Sequence, residues 1–125
     1  MVRNQSAKDG ERKVSIESRI RAALVPLGYK TYPATYDGAE ETYFVFNHNT
    51  LPDDFGNNQP QHERALIQVH FFCPHDFNSV KARKDVKLAM LNAGFTYPYM
   101  TDASDKAGQH WVFEFETAEA VDGED

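Results

Sequence analysis

The sequence predicts a single α+β domain built on a mainly antiparallel, mixed β-sheet of about four to five strands, with two helices packed on one face. Three observations carry this. The chain has 125 residues, 41% hydrophobic and 26% charged, which suits one hydrophobic core and is too short for two full-sized domains. Apolar residues recur at helical spacing in two segments and at strand spacing in five others. Fourteen of the 16 aromatic residues lie in those five segments, which marks the aromatic excess as a feature of the sheet core.

The elements follow in order. Residues 1–13 mix charge, amide and glycine without apolar periodicity and predict a flexible N-terminal arm, so that the domain runs over 14–118. Ile16, Ile20, Ala23, Leu24 and Leu27 then form one helical stripe, with Ser15 as N-cap, Glu17 in the first turn, and Pro26 and Gly28 as the stop. Tyr29 to Tyr36 is rich in Tyr and Thr but carries Pro33, which suits an edge strand. After an Asp37-Gly38 turn, Thr42 to Asn47 (TYFVFN) has large apolar residues in both alternating sets and should be covered on both faces. Residues 48–64 are polar, with Pro52, Gly56 and Pro60, and are read as a long loop of the kind that carries function. Leu66 to Phe72 alternates as a strand with one buried face. Asn78 or Ser79 caps a second helix that runs to Ala93, before Gly94. Phe95 to Met100 and His110 to Glu116 predict two further strands joined by the polar turn Thr101 to Gln109, and residues 119–125 form an acidic C-terminal tail.

Composition narrows the function. Thirteen basic against 19 acidic residues give a net charge of −6, which disfavours a protein held on DNA by counterion release and favours protein partners. No stretch approaches the length of a membrane span, and the polar start has no apolar signal core, so the expected compartment is the cytosol. The single cysteine, Cys73, excludes an internal disulfide framework.

The grouping with most chemical promise is His70, Cys73, His75 and Asp76, where a thiolate beside imidazole and carboxylate could serve as nucleophile or metal site. Its spacing matches no closed zinc pattern, and a cysteine before proline at a strand end reads more simply as a small buried apolar group. His48, His62 and His110 are scattered, and Glu114 and Glu116 share one strand face as a solvated edge. The adjacent pairs Glu40-Glu41 and Asp53-Asp54 would point apart if extended. No phosphate-binding glycine loop, nucleophile elbow or dinucleotide fingerprint is present, so no catalytic, cofactor-binding or metal-binding residue is assigned.

Charge is unevenly placed: the segment from Asp37 to Arg64 carries −5, Asn78 to Gly94 carries +3, and Phe95 to Asp125 carries −7. On the second helix Lys81, Arg83, Lys84 and Lys87 occupy one arc opposite an alanine stripe, and Val80, Leu88 and Leu91 fall in the same arc. Either the bulky residues face solvent and await a second partner, or they face the sheet and the alanines are exposed. In the first case, head-to-tail association of the basic helix with a neighbour's acidic loop or tail would close a ring.

Taken together, the opening amphipathic helix, the tyrosine-rich Tyr29–Tyr36 region, the EETYFVF segment ending at Phe46, the loop with Leu51-Pro52 and Phe55, the IQVHFF strand, the basic helix ending at Gly94-Phe95 and the closing HWVFEFE strand resemble a known arrangement. It is that of the tail completion or tail terminator (head-tail joining) proteins of long-tailed bacteriophages, over about residues 16–118. The resemblance implies a structural virion subunit, not an enzyme and without cofactor. It would form a homo-oligomeric, hexameric ring at the head-proximal end of the tail, assembled in the host cytoplasm. Such a ring stops polymerisation of the tail tube protein, meets the head-tail connector protein, and lets DNA through its lumen without specific binding. The chain's own features suggest Asp53, Asp54 and Phe55 in the loop and Arg83, Lys84, Lys87, Leu88 and Leu91 on the helix as interface residues. Two alternatives stand beside this: another neck connector subunit of similar fold, and a small cytosolic enzyme using His70, Cys73 and Asp76.

Overall fold

The computed structural model describes residues 15–56, 59–117 and 121–122, with side chains described outside 51–63 and 121–122. The predicted N-terminal arm lies outside the described residues. Helix α1 spans Ile16–Leu24 and continues as a 3-10 turn, Val25–Leu27. The Ser15 hydroxyl accepts from the Ser18 N–H at 3.1 Å, and Ile16, Ile20 and Leu24 are buried, as the stripe predicts. Gly28 follows with φ 99, a left-handed position that frees the chain to turn back.

The strands are β1 (Lys30–Pro33), β2 (Tyr43–Gly56), β3 (Gln59–Cys73), β4 (Tyr99–Asp102), β5 (Gln109–Glu116) and the short β6 (Val121–Asp122). Their order across the sheet is β1-β2-β3-β5-β4, with β6 added to β3. All pairs are antiparallel except β1 with β2. The mixed, mainly antiparallel sheet and two helices are thus those expected. β1 lies at the edge, where Pro33 forfeits no bond to an inner neighbour.

Helix α2 (Val80–Asn92) lies with α1 on one face of the sheet. Its start is capped by Asn78, whose Oδ1 accepts from the Val80 N–H at 3.2 Å, while Ser79 is otherwise engaged. Gly94, φ 94, ends it. Between helices and sheet lies a core of Phe44, Phe46, Ile67, Val69, Phe71, Phe113 and Phe115, closed from above by Ile20, Leu24, Ala82, Val86 and Met90. The alanine side of α2 therefore faces the sheet, and Val80, Leu88 and Leu91 face outward, which decides between the two orientations left open above.

One expectation is corrected in kind. The segment 48–64, expected as a loop, is the distal part of a β-hairpin: β2 and β3 remain in register from Tyr43↔Phe72 through Thr50↔Ala65 to Gly56↔Gln59. The reason lies in the layers. His48 and Thr50 occupy the helix-side face but are exposed, because the helix layer ends near Phe46 and Ala65. From Asn47 to Thr50 both faces of β2 are already exposed, so no apolar alternation is required there, and none is written in the sequence that follows. Asp53, Asp54 and Phe55 fall on this ribbon, with Asp53 opposite His62 and Phe55 opposite Pro60; their side chains lie outside the described residues.

Smaller corrections follow the same logic. The strand expected over Phe95–Met100 begins only at Tyr99, because Phe95 is drawn into the core, where it makes an isolated bridge to Thr117. The turn after β4 is correspondingly shorter, spanning 103–108. In the acidic tail, Val121 and Asp122 pair with Glu63 and His62 of β3. β5 is flanked by β3 and β4, so Glu114 and Glu116 share a face as expected but do not sit on an edge.

A residue overlooked in the sequence holds the β3–α2 connection to the sheet. The Gln109 amide donates to the carbonyls of Pro74 (2.9 Å), His75 (3.3 Å) and Phe77 (2.7 Å). Its Oε1 accepts from the Ser79 hydroxyl at 2.7 Å and the Trp111 Nε1–H at 2.9 Å. Gln109→Ala should cost about 1–3 kcal/mol in chemical denaturation, because several partly buried partners lose their bonds together. The helix orientation gives a second expectation: Met90→Ala should cost about 2–5 kcal/mol while Leu88→Ala changes stability by less than about 0.5 kcal/mol. The reverse ranking in thermal or denaturant unfolding would place α2 the other way round.

Candidate interaction surfaces

The pleat that sends Phe44, Phe46, Phe71, Phe113 and Phe115 toward the helices sends the alternate residues to the opposite, open face of the sheet. Tyr43, Phe72 and His110 lie side by side there across three strands. Their rings stack, Tyr43 on Phe72 at 5.0 Å and Phe72 on His110 at 4.2 Å between centroids. Residues 34–42 fold back over the margin of this row. Ala34, with φ 68, makes the reversal, and Tyr36 stacks on Tyr32 at 3.9 Å and meets Tyr43 at 4.8 Å. A side chain at Gly38 would collide with the Tyr36 ring, which explains the glycine of the Asp37-Gly38 turn. The aromatic excess is therefore divided, against the expectation of a sheet-core feature: the other described phenylalanines and Trp111 serve mainly the core, while Tyr32, Tyr36, Tyr43 and Phe72 form an open-face platform.

In the adjacent row, His70 meets His110 with Nδ1 and Nε2 at 2.7 Å. The proton positions follow from the neighbours. The Gln68 amide nitrogen donates to Glu114 Oε2 at 2.7 Å, so Gln68 Oε1 faces His70 Nε2 at 3.3 Å and accepts from it. His70 Nδ1 is then an acceptor, and His110 Nε2–H donates to it. The pair can take one proton, on His110 Nδ1, with this bond kept, but a second, on His70 Nδ1, would bring two N–H groups face to face. Burial holds both imidazoles below their ordinary pKa, and His110 adds to the effect on His70. Glu114 pulls His70 the other way, as Asp105 and Asp102 do His110.

At the end of this face, where β2 and β5 begin and β3 ends, a cleft of about 440 Å³ opens between Glu40, Glu41, Tyr43, Phe72, Asp105 and His110, floored by Cys73, Pro74 and the turn at Ala107-Gly108. A shallower depression of about 210 Å³ continues it over Tyr36, Val45 and His70. No group of His, Cys, Asp and Glu among the described residues is arranged to hold a metal ion.

The grouping of His70, Cys73, His75 and Asp76 does not assemble. Three residues apart on one strand, His70 and Cys73 point to opposite faces of the sheet, and His75 and Asp76 are exposed in the turn beyond. Cys73 is 3% exposed, and burial pushes its thiol up to about 11, against only a partial pull from Arg83. This accords with the reading of Cys73 as a small core residue.

On the helix side, Lys84, Lys87, Leu88 and Leu91 stand on the outer face of α2 as expected of interface candidates. Arg83 is diverted: its guanidinium lies 4.0 Å over the Trp111 ring, and its Nε donates to the Ser79 hydroxyl at 3.0 Å. It therefore braces α2 on the sheet. Glu114 and Glu116 are occupied as well, by Gln68 and by Arg64 at 3.7 Å.

Two measurements check this description. The unfolded chain takes up protons on its histidines near pH 6.5, whereas the folded pair resists them. Stability contributed by His70 and His110 is thus complete above that pH and declines as pH falls below it. The thermal midpoint should drop between about pH 7 and 5.5, and His110→Gln should shallow the drop; an unchanged slope would contradict the pair's role. Native Cys73 should react with an aqueous thiol reagent only as fast as the protein opens, and rapid labelling would show the thiol is accessible. Compared with known proteins, the chain matches no protein-family model and no curated protein at a significant level.

Proposed function

We propose that this chain is a structural assembly subunit of a bacteriophage tail, a tail terminator or tail completion protein that forms a ring with copies of itself and joins the tail tube to the head connector. The observation that supports this most is the projecting β2–β3 hairpin. Past the Thr50↔Ala65 pair, where the core ends, the two strands continue for roughly 20 Å. Among the described residues, β2 has a neighbour on one side only from Asn47 onward, and β6 meets β3 at His62 and Glu63. A ribbon of this kind is marginal alone and presents an unpaired strand edge, which is a template for another chain. Its natural complement is the surface of a neighbouring subunit or of the tail tube.

The remaining features support the same reading. The molecule carries apolar and charged surfaces on both its helix side and its open sheet side, as a subunit with a neighbour on each side requires. An acidic chain around a channel also lets DNA pass without holding it. In this role the protein acts by contact, resides in the virion tail and needs no cofactor.

Replacing residues 51–63 by a short glycine-containing turn removes the ribbon without touching the core. The shortened protein should keep its thermal transition, because the described core ends near Ala65, but lose ring formation in light scattering and lose the ability to complement tail joining. Normal rings and normal joining by the shortened chain would refute the proposal.

A further inference from the structure

We propose that the acidic, aromatic-walled cleft at the end of the open sheet face is the docking site for the outer stripe of α2 from a second copy of this chain. The choice of a second copy as occupant rests on the assembly reading above.

The stripe is well defined. Val80, Lys84, Lys87, Leu88 and Leu91 fall at i, i+4, i+7, i+8 and i+11 and so occupy one side of the helix. Val80, Leu88 and Leu91 are 62%, 43% and 47% exposed. Lys81, beside the stripe, is paired with Asp85 at 2.7 Å, whereas Lys84 and Lys87 make no ion pair among the described residues. The helix thus presents two free ammonium groups flanking two exposed leucines.

The cleft offers the complement of each. Glu40, Glu41 and Asp105 line it, and no Lys or Arg does; Lys106, in the same turn as Asp105, is not part of the lining. Its walls are the Tyr43 and Phe72 rings and the His110 imidazole. A lysine entering such a site keeps its ammonium at the carboxylates and lays its methylene stem on the rings. Leu88 and Leu91 cover the aromatic surface that the fold leaves open. The helix segment Asn78 to Gly94 carries +3, and residues 37–42, which include Glu40 and Glu41 of the cleft, carry −3, so approach of the two surfaces is favoured before contact and repulsive in the alternative pairings of like surfaces.

Placement adds a geometric consequence. The stripe points away from the sheet on the helix side, and the cleft lies at the rim of the opposite face. The contact is therefore face to back, and each copy retains one unused stripe and one unused cleft until the series closes. A two-fold dimer cannot satisfy it.

Charge exchange tests the contact in the full chain by sedimentation velocity across a concentration series, with thermal melting to confirm that each variant folds. Lys84→Glu/Lys87→Glu and Glu40→Lys/Glu41→Lys should each weaken self-association at least about tenfold, and the four substitutions together should restore it to within about threefold. Carbodiimide should cross-link Lys84 or Lys87 to Glu40, Glu41 or Asp105 between copies. If the variants associate like the wild type while electron micrographs still show rings, the contact is wrong and the ring reading stands. If exchange behaves as expected but the particles are open filaments, the contact stands and the ring reading falls. Failure of the fourfold variant to recover overturns the contact, and a wild-type chain that stays monomeric throughout overturns both.

Discussion

The register that joins β2, β3 and β5 governs the rest of the molecule. Phe44 opposite Phe71 opposite Trp111, and Phe46 opposite Val69 opposite Phe113, commit one face of three strands to large apolar side chains. A shift of one residue in these pairs would turn those rings outward and bring Tyr43, His70, Phe72 and His110 under the helices. The cost of burying two imidazoles and a phenol without partners makes that alternative untenable. The same alternation that builds the core also builds the open face, so the aromatic platform, the histidine pair and the cleft are consequences of one pairing choice.

The helices respond to this surface in different ways. α1 spends its long aliphatics inward, with Ile16, Ile20 and Leu24 all buried. α2 meets the sheet with a narrower side, Ala82, Val86 and Met90, and leaves its bulkier residues outside. Small residues let α2 approach the phenylalanine layer closely, and Arg83 over Trp111 and the bonds of Gln109 settle its near end. What remains on the outside of α2 is not needed by the fold, and this separates residues that stabilise the domain from residues free to serve a contact.

Much of this was legible in the residues. The stripe Ile16–Leu27, the two left-handed glycines, the strongly apolar TYFVFN strand and the alternating IQVHFF strand each carry a local pattern that the tertiary structure obeys. The ribbon beyond Thr50 was not legible, because its sequence is polar without apolar alternation, and Pro52, Gly56 and Pro60 read as loop punctuation. Phe95 was misplaced since its aromatic character, taken as strand preference, is satisfied instead by burial against Phe115 at 5.1 Å. The partnership of His70 with His110, 40 positions apart, and the convergence of Glu40, Glu41 and Asp105 depend on strand order, which no local window contains. Gln109 carried no signal beyond its residue type.

The functional account rests on surfaces that the fold completes but does not use: a ribbon edge, an acidic aromatic cleft and a basic leucine stripe on opposite sides. The cleft and the stripe complement each other in charge and apolar surface, and the ribbon edge offers a strand template, as the proposed repeating subunit requires. Electron microscopy of the purified full-length protein tests this most directly. The account predicts closed annular particles of uniform diameter whose neighbouring subunits meet helix side to sheet side. Monodisperse single subunits, or two-fold dimers joined through like surfaces, would contradict it.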